Sequence, residues 1–305
     1  MDKYQIDKIL KGFYESKSQK TAHLYQSDLD SFRDYLGAKN LETALISFFE
    51  SPHSQANLTV LHYKSLMLRD GLKPATINRR LSALRSLVKG AHRDGDLRWK
   101  IDINNEKKSS DKKIKPLSMD SFDAILKLAE NQGNPLKAAR DVAIIRLLHD
   151  LAMQRTSIVN LNYSDISFRE NSILVSVPSS KSKIRKFLPV KTSQSLLRWL
   201  SFRGKCKGPL FTNCDHAGKG KRLTGTSIYR IVRQFGKQIG VETGPFGLRQ
   251  TAIIKALEKG KVAGLNMAEI AAFSDHQHLS SLKAYDKHRV RLQQRLSDLV
   301  SESRR

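Results

Sequence analysis

Apolar residues recur every three to four positions along much of the chain, the spacing that lines one face of an α-helix. In "KTAHLYQSDLDSFRDYLG", Leu24, Leu29, Phe32 and Leu36 share a face, and Gly37 follows where a C-cap is expected. In "KPATINRRLSALRSLVKGAH", Ile77, Leu81, Leu84 and Val88 form the stripe, with Asn78, Arg85 and Lys89 on the opposite face. "SMDSFDAILKLAEN" offers Ser118 as an N-cap, and the more apolar "KAARDVAIIRLLHDLAM" predicts a helix buried in a core. The period then changes. In "NSILVSVPSSKSKIRKFLPV", Ile173, Val175 and Val177 alternate, a Pro-Ser-Ser turn follows, and Phe187 to Val190 resumes an extended pattern, which predicts a β-hairpin with lysines at its tip. Helical spacing returns in "TGTSIYRIVRQFGKQIG", which ends at Gly240, then in "GPFGLRQTAIIKALEKG", "NMAEIAAFS" and "RLQQRLSDLV". The pattern predicts a mainly α fold with a small antiparallel β-sheet, an α+β chain.

The segment "INNEKKSSDKKIKPLS" has no apolar period, is rich in Lys, Ser, Asp and Asn, and ends near a proline. It reads as a linker over 103–117 between a helical domain, 1–102, and a second domain, 118–305. Charge sharpens this division. The 305 residues carry 54 Lys and Arg against 29 Asp and Glu, a formal +25. Residues 1–50 hold 7 basic and 8 acidic side chains, residues 51–100 hold 10 and 3, and residues 151–250 hold 18 and 4. So focused an excess self-repels unless a polyanion meets it, and nucleic acid is the simplest such partner.

Other classes fall away. Two cysteines, Cys206 and Cys214, make neither a disulfide framework nor a four-ligand zinc site, and a reducing cytoplasm fits. No run of about 18 apolar residues and no signal-peptide core is present, which disfavours secretion and membrane insertion. "AGKGKR" lacks phosphate-loop spacing, and no Asp/Glu cluster suits magnesium. Cys206, Cys214 and His216 are too loosely spaced to suggest a metal, so no cofactor and no metal are expected.

The residues that carry candidate chemistry are Arg155, Lys181, Arg249, His276 and Tyr285, each near the end of an element or on a turn. Singly they are weak signals; their order is not. "QRTSIVNLNYSDI", "SKSKIRKFLP", "FGLR" and "DHQHLSSLKAY" resemble in turn the first arginine box, the hairpin lysine, the His-x-x-Arg box and the Gly-His-to-tyrosine box of the tyrosine recombinases. That is the family of phage integrases and Xer-type resolvases. "TAHLYQSDLDSFRDYL" and "ATINRRLSALRSL" look like helices of its amino-terminal core-binding domain, so the resemblance spans nearly the whole chain.

The resemblance implies a two-domain clamp on double-stranded DNA that cleaves and rejoins strands through a 3′-phosphotyrosyl intermediate, without metal or ATP. It makes Arg155 and Arg249 the guanidinium pair that grips the phosphate. Lys181, or else Lys183, is the general acid, His276 a phosphate hydrogen-bond donor and Tyr285 the nucleophile. Arg79, Arg85, Lys89, Lys183, Arg185 and Arg230 are the candidate DNA contacts. A homotetramer on two synapsed sites is implied, and Leu292, Leu296 and Leu299 form a stripe that a neighbour could bury or that could pack in cis. Three positions depart from the pattern: Phe246 for the box-two histidine, Asp275 for the glycine, and Ile158 for an acid three residues after Arg155. The other readings are a DNA-binding protein of the same fold that has lost catalysis, and a nicking and closing enzyme that needs no partner.

Overall fold

The structure is a computed structural model describing residues 1–93, 97–107, 116–170, 172–178, 183–275 and Leu282. The chain divides into two compact units, Met1–Lys113 and Ile114–Arg305.

The described part of the first unit is helical: α1 (Lys3–Glu15), α2 (Gln19–Tyr35), α3 (Leu41–Glu50), α4 (His53–Arg69) and α5 (Pro74–Arg93). Caps set the starts. The Asp2 carboxylate accepts from the Gln5 N–H in a capping box, while Ser18 and Asn40 accept from Thr21 and Thr43. Gly37 stops α2 in the left-handed region, φ 66°, where a side chain would be strained. Phe32 sits at the centre of the core, edge-on to Phe48 at 5.0 Å and Tyr63 at 5.2 Å. From α5, Ile77, Leu81, Leu84 and Val88 are buried as the period predicts, together with Leu87. Burying each is worth roughly 1.5–3 kcal/mol. Leu24, by contrast, is exposed, because the α2 face it occupies lies beyond the core that Leu29 and Phe32 fill.

The chain leaving α5 does not depart at Ile103. Asn78 Nδ2 donates to the Glu106 carbonyl at 2.9 Å and its Oδ1 accepts from the Glu106 N–H at 2.7 Å. Lys64 Nζ donates to the Asn104 carbonyl at 3.1 Å and pairs with the Glu106 carboxylate at 3.1 Å, while Ile103 packs on the core. Residues 103–106, placed by composition at the start of the linker, thus lie on α4 and α5. The Asn78 amide and the Lys64 ammonium there satisfy backbone groups that a strand or helix would otherwise have to pair.

The second unit contains α6 (Met119–Glu130), α7 (Pro135–Asp150), α8 (Arg155–Asn160), β1 (Ile166–Arg169), β2 (Ser172–Pro178), β3 (Lys183–Phe187), α9 (Val190–Arg203), α10 (Gly225–Gln238), α11 (Pro245–Val262) and α12 (Met267–Ser274). The antiparallel sheet has the order β1-β2-β3. Helix α7 is buried on nearly every side, as its apolar sequence predicts, and begins with Pro135 at its first position. Trp199 from α9 is buried and donates from Nε1 to the Leu210 carbonyl at 2.9 Å.

The hairpin differs from expectation in two ways. Strand β1 was not predicted, because Phe168 and Arg169 are exposed and leave no alternation to read. The return strand runs over Lys183–Phe187 rather than Phe187–Val190: Pro189 has no N–H to give a ladder, and it caps α9 instead. The helix predicted over "RLQQRLSDLV" lies outside the described residues. Among the described residues no helix is long and apolar enough to cross a membrane.

Candidate active site

The turn joining α7 to α8 is the foundation of the site. Leu151, Ala152 and Met153 are buried, and Ala152 takes a left-handed conformation, φ 47°, that is unfavourable for a residue with a Cβ and needs surrounding contacts to hold it. Part of that support is Arg249, whose Nη1 donates to the Ala152 carbonyl. Three residues on, Arg155 opens α8 and is half-buried, with its side chain laid over Gly225 at the start of α10. A Cβ at Gly225 would come within 3.3 Å of Arg155 Nε, so glycine leaves the guanidinium its room. Ile158, where the resemblance leads one to expect an acid, is fully buried in the core. A carboxylate there would have to leave water for a hydrophobic core, at a cost in free energy.

Arg249 projects from the second turn of α11 and is 7% exposed. Its Nη2 donates to the Ser274 carbonyl at 2.5 Å, so one guanidinium ties the α7–α8 turn to the end of α12. Carbonyl partners orient an arginine without neutralising it.

Asp275 follows as the C-cap of α12 at φ 55°, ψ 32°. This left-handed geometry explains why glycine suits the position and why an aspartate, which tolerates αL better than most residues, can replace it.

Lys186 on β3 completes the arrangement, and the sequence reading missed it. It is buried, donates from Nζ to the Phe273 carbonyl at 2.7 Å, and pairs with Asp275 Oδ1 at 2.9 Å. Burial pushes its pKa down and the Arg249 charge adds to that, against the opposing pull of Asp275. The available signal was positional: in "KIRKF" Ile184 and Lys186 share a face, and Lys186 is the buried one.

The other candidates are placed as follows. Lys181, His276 and Tyr285 lie outside the described residues. Lys183 Nζ donates to Asp165 Oδ1 at 2.9 Å, and that carboxylate also accepts from the Asn162 N–H. Phe246 is exposed on the first turn of α11. Arg185 and Arg230 are exposed, as is Lys89 in the first unit. Arg79 Nη1 donates to Asp28 Oδ2 at 2.6 Å, and Arg85 donates to the Ile103 carbonyl and to Asn105 Oδ1. Among the described residues no group of three His, Cys, Asp or Glu could hold a metal ion.

Residues 115–291 match the phage integrase family, and residues 13–95 match the N-terminal SAM-like domain of phage integrases. A tyrosine recombinase of Synechocystis sp. is 31% identical over 94% of this chain and 92% of its own length. The chain is a member of the phage integrase family. It is a tyrosine recombinase, an enzyme of DNA recombination. Tyrosine recombinase XerC of Thermodesulfovibrio yellowstonii, at 25% identity, covers 88% of the recombinase and 90% of itself. In fold it is similar to the Tn1549 transposon integrase in complex with transposon right end DNA, with a TM-score of 0.72 at 15% identity, covering 98% of this chain and 99% of that one. It is similar too to the XerH site-specific recombinase bound to palindromic difH substrate, with a TM-score of 0.67 at 16% identity, covering 97% of this chain and 84% of that one.

Proposed function

We propose that this recombinase grips a duplex DNA site with its helical domain (1–102) and its catalytic domain (118–305), and exchanges strands through Tyr285. The observation that carries this is the shared footing of the two arginines: Arg249 is hydrogen-bonded to the turn from which Arg155 emerges three residues later. Two guanidinium forks, one emerging from the turn and one bonded to it, are suited to the non-bridging oxygens of one phosphate, where charge builds as phosphorus is attacked. The Tyr285 oxygen forms a bond to phosphorus as the bond to the 5′-oxygen breaks, and Lys181, or Lys183, gives that oxygen a proton. Phe246 has no proton to exchange, so the phenol proton passes to His276, His278 or water. The phosphotyrosyl bond keeps the energy of the broken phosphodiester, and reversal with a new 5′-hydroxyl rejoins the strand without ATP.

A groove of about 790 Å³ framed by α6, α7, α11 and α12, with Phe122, Leu126, Ala252, Ile270 and Phe273 in its wall, supports an assembly reading. It is apolar enough to receive the stripe of Leu292, Leu296 and Leu299, from its own chain or from a neighbour in a homotetramer on two synapsed sites. The enzyme would work in the cytoplasm at the nucleoid, on a mobile element or chromosomal site.

Incubation with nicked duplexes made from the DNA flanking the gene is expected to leave a denaturation-resistant adduct whose peptide map ends on Tyr285. An adduct of undiminished yield from Tyr285→Phe would remove that residue from the role.

A further inference from the structure

An aspartate beside a phosphate-gripping arginine is a hazard, because a carboxylate competes with phosphate for the same guanidinium. Asp275 is so placed: Arg249 Nη2 is bonded to the carbonyl of the preceding residue, Ser274. Its backbone cannot drift away, since its N–H donates to the Ala271 carbonyl at the end of α12. What faces the carboxylate instead is Lys186 Nζ, 2.9 Å from Oδ1, with 8% and 15% of the two side chains exposed. Lys186 spends its own donor on the Phe273 carbonyl, and its ammonium lies 5.9 Å from the Phe273 ring centre. Two cations on different elements, Lys186 of β3 and Arg249 of α11, thus hold successive carbonyls, Phe273 and Ser274, of the segment that leads directly into His276.

We propose that Lys186 and Asp275 are a matched pair of positioning residues: Lys186 holds the Asp275 carboxylate so that it does not turn to Arg249, and together they fix the segment leading into His276. The pair also joins the hairpin that carries Lys181 to the end of α12. Two consequences follow that packing alone would not produce. Removing the lysine while keeping the aspartate is worse than removing both, because the stranded carboxylate turns to Arg249. Arginine at 186 can substitute, since its fork reaches both the carboxylate and the Phe273 carbonyl.

The inference rests on the proposed function for its kinetic arm but not for its structural one. In single-turnover cleavage of a nicked duplex, Lys186→Met is expected to slow adduct formation at least about tenfold with DNA affinity kept, as when a reacting group is misplaced. Lys186→Met with Asp275→Gly is expected to return to within about threefold of wild type, and Lys186→Arg likewise. Amide hydrogen exchange at Phe273–Asp275, measured without DNA, is expected to quicken in Lys186→Met and to stay slow in Lys186→Arg. A double variant as slow as Lys186→Met, or exchange in Lys186→Met unchanged from wild type, overturns the pair. Wild-type protein that forms no adduct while the exchange pattern holds strikes the catalytic reading and leaves the clamp standing.

Discussion

Several cations of the first unit pair with carboxylates, whereas Arg249 of the second donates to backbone carbonyls. Arg79 and Arg80 both turn to the buried Asp28, Arg33 is shared by Asp30 and Asp34, and Lys64 pairs with Glu106. Arg249 instead donates to Ala152 and Ser274. A carboxylate partner cancels the charge it orients; a carbonyl orients a guanidinium and leaves the positive charge for an incoming anion. The first unit holds shape with these ion pairs; the second has ion pairs of its own, such as Arg140 with Asp141, and adds a guanidinium oriented by carbonyls.

The sharpest way to break that contrast is Arg249→Lys. A lysine cannot serve two carbonyls and a phosphate with one fork, and cleavage is expected to fall about 100-fold or more with DNA binding retained. Equal cleavage by the variant would show that carbonyl anchoring is irrelevant. Next is Gly225→Val, which crowds Arg155 Nε from the α10 side. About tenfold slower cleavage is expected with little change in melting temperature; an unaltered rate would mean that the Arg155 side chain moves freely.

Acid titration compares the units through single carboxylates. Burial comes first in raising the Asp28 pKa, outweighing Arg79 and Arg80. Its folded form therefore takes up a proton more readily than the unfolded chain, and wild type gains stability relative to Asp28→Asn as pH falls from neutral through that raised value. For Asp150 burial opposes ionisation, but hydrogen bonds from His149 and Thr192 with the His149 and Arg146 charges prevail and hold the pKa down. The advantage of wild type over Asp150→Asn is thus present above the ordinary carboxylate range and is lost as pH falls through the depressed value. Thermal melts of the three proteins, wild type and the two variants, from pH 7 to pH 3 check both signs, and parallel curves would contradict them. The smallest effect is Asp28→Asn on adduct formation by already bound complexes, expected to lie within about twofold of wild type because the change is confined to a shape-holding pair.

Most of the fold was legible because periodicity survives wherever a helix packs one face on a core, as with Ile77 to Val88 or Phe122 to Ala129. Strand β1 was not, since its exposed Phe168 and Arg169 offer no alternation, and the return strand was misplaced because the charged "KIRKF" hides a buried lysine. In the candidate site, motif order is what singles out Arg155 and Arg249. Lys186 could not, because what makes it matter is the left-handed Asp275 nearly ninety positions away. The segment at 103–106 escaped for a related reason: its partners Asn78 and Lys64 lie on distant helices, α5 and α4.

The most direct test of the central claim is a structure of the Tyr285→Phe protein bound to its uncleaved DNA site. One backbone phosphate is expected with its non-bridging oxygens about 3 Å from the guanidinium nitrogens of both Arg155 and Arg249, and with residue 285 facing phosphorus. A phosphate held by other side chains, with Arg249 bonded to the Ala152 and Ser274 carbonyls and out of its reach, would contradict it.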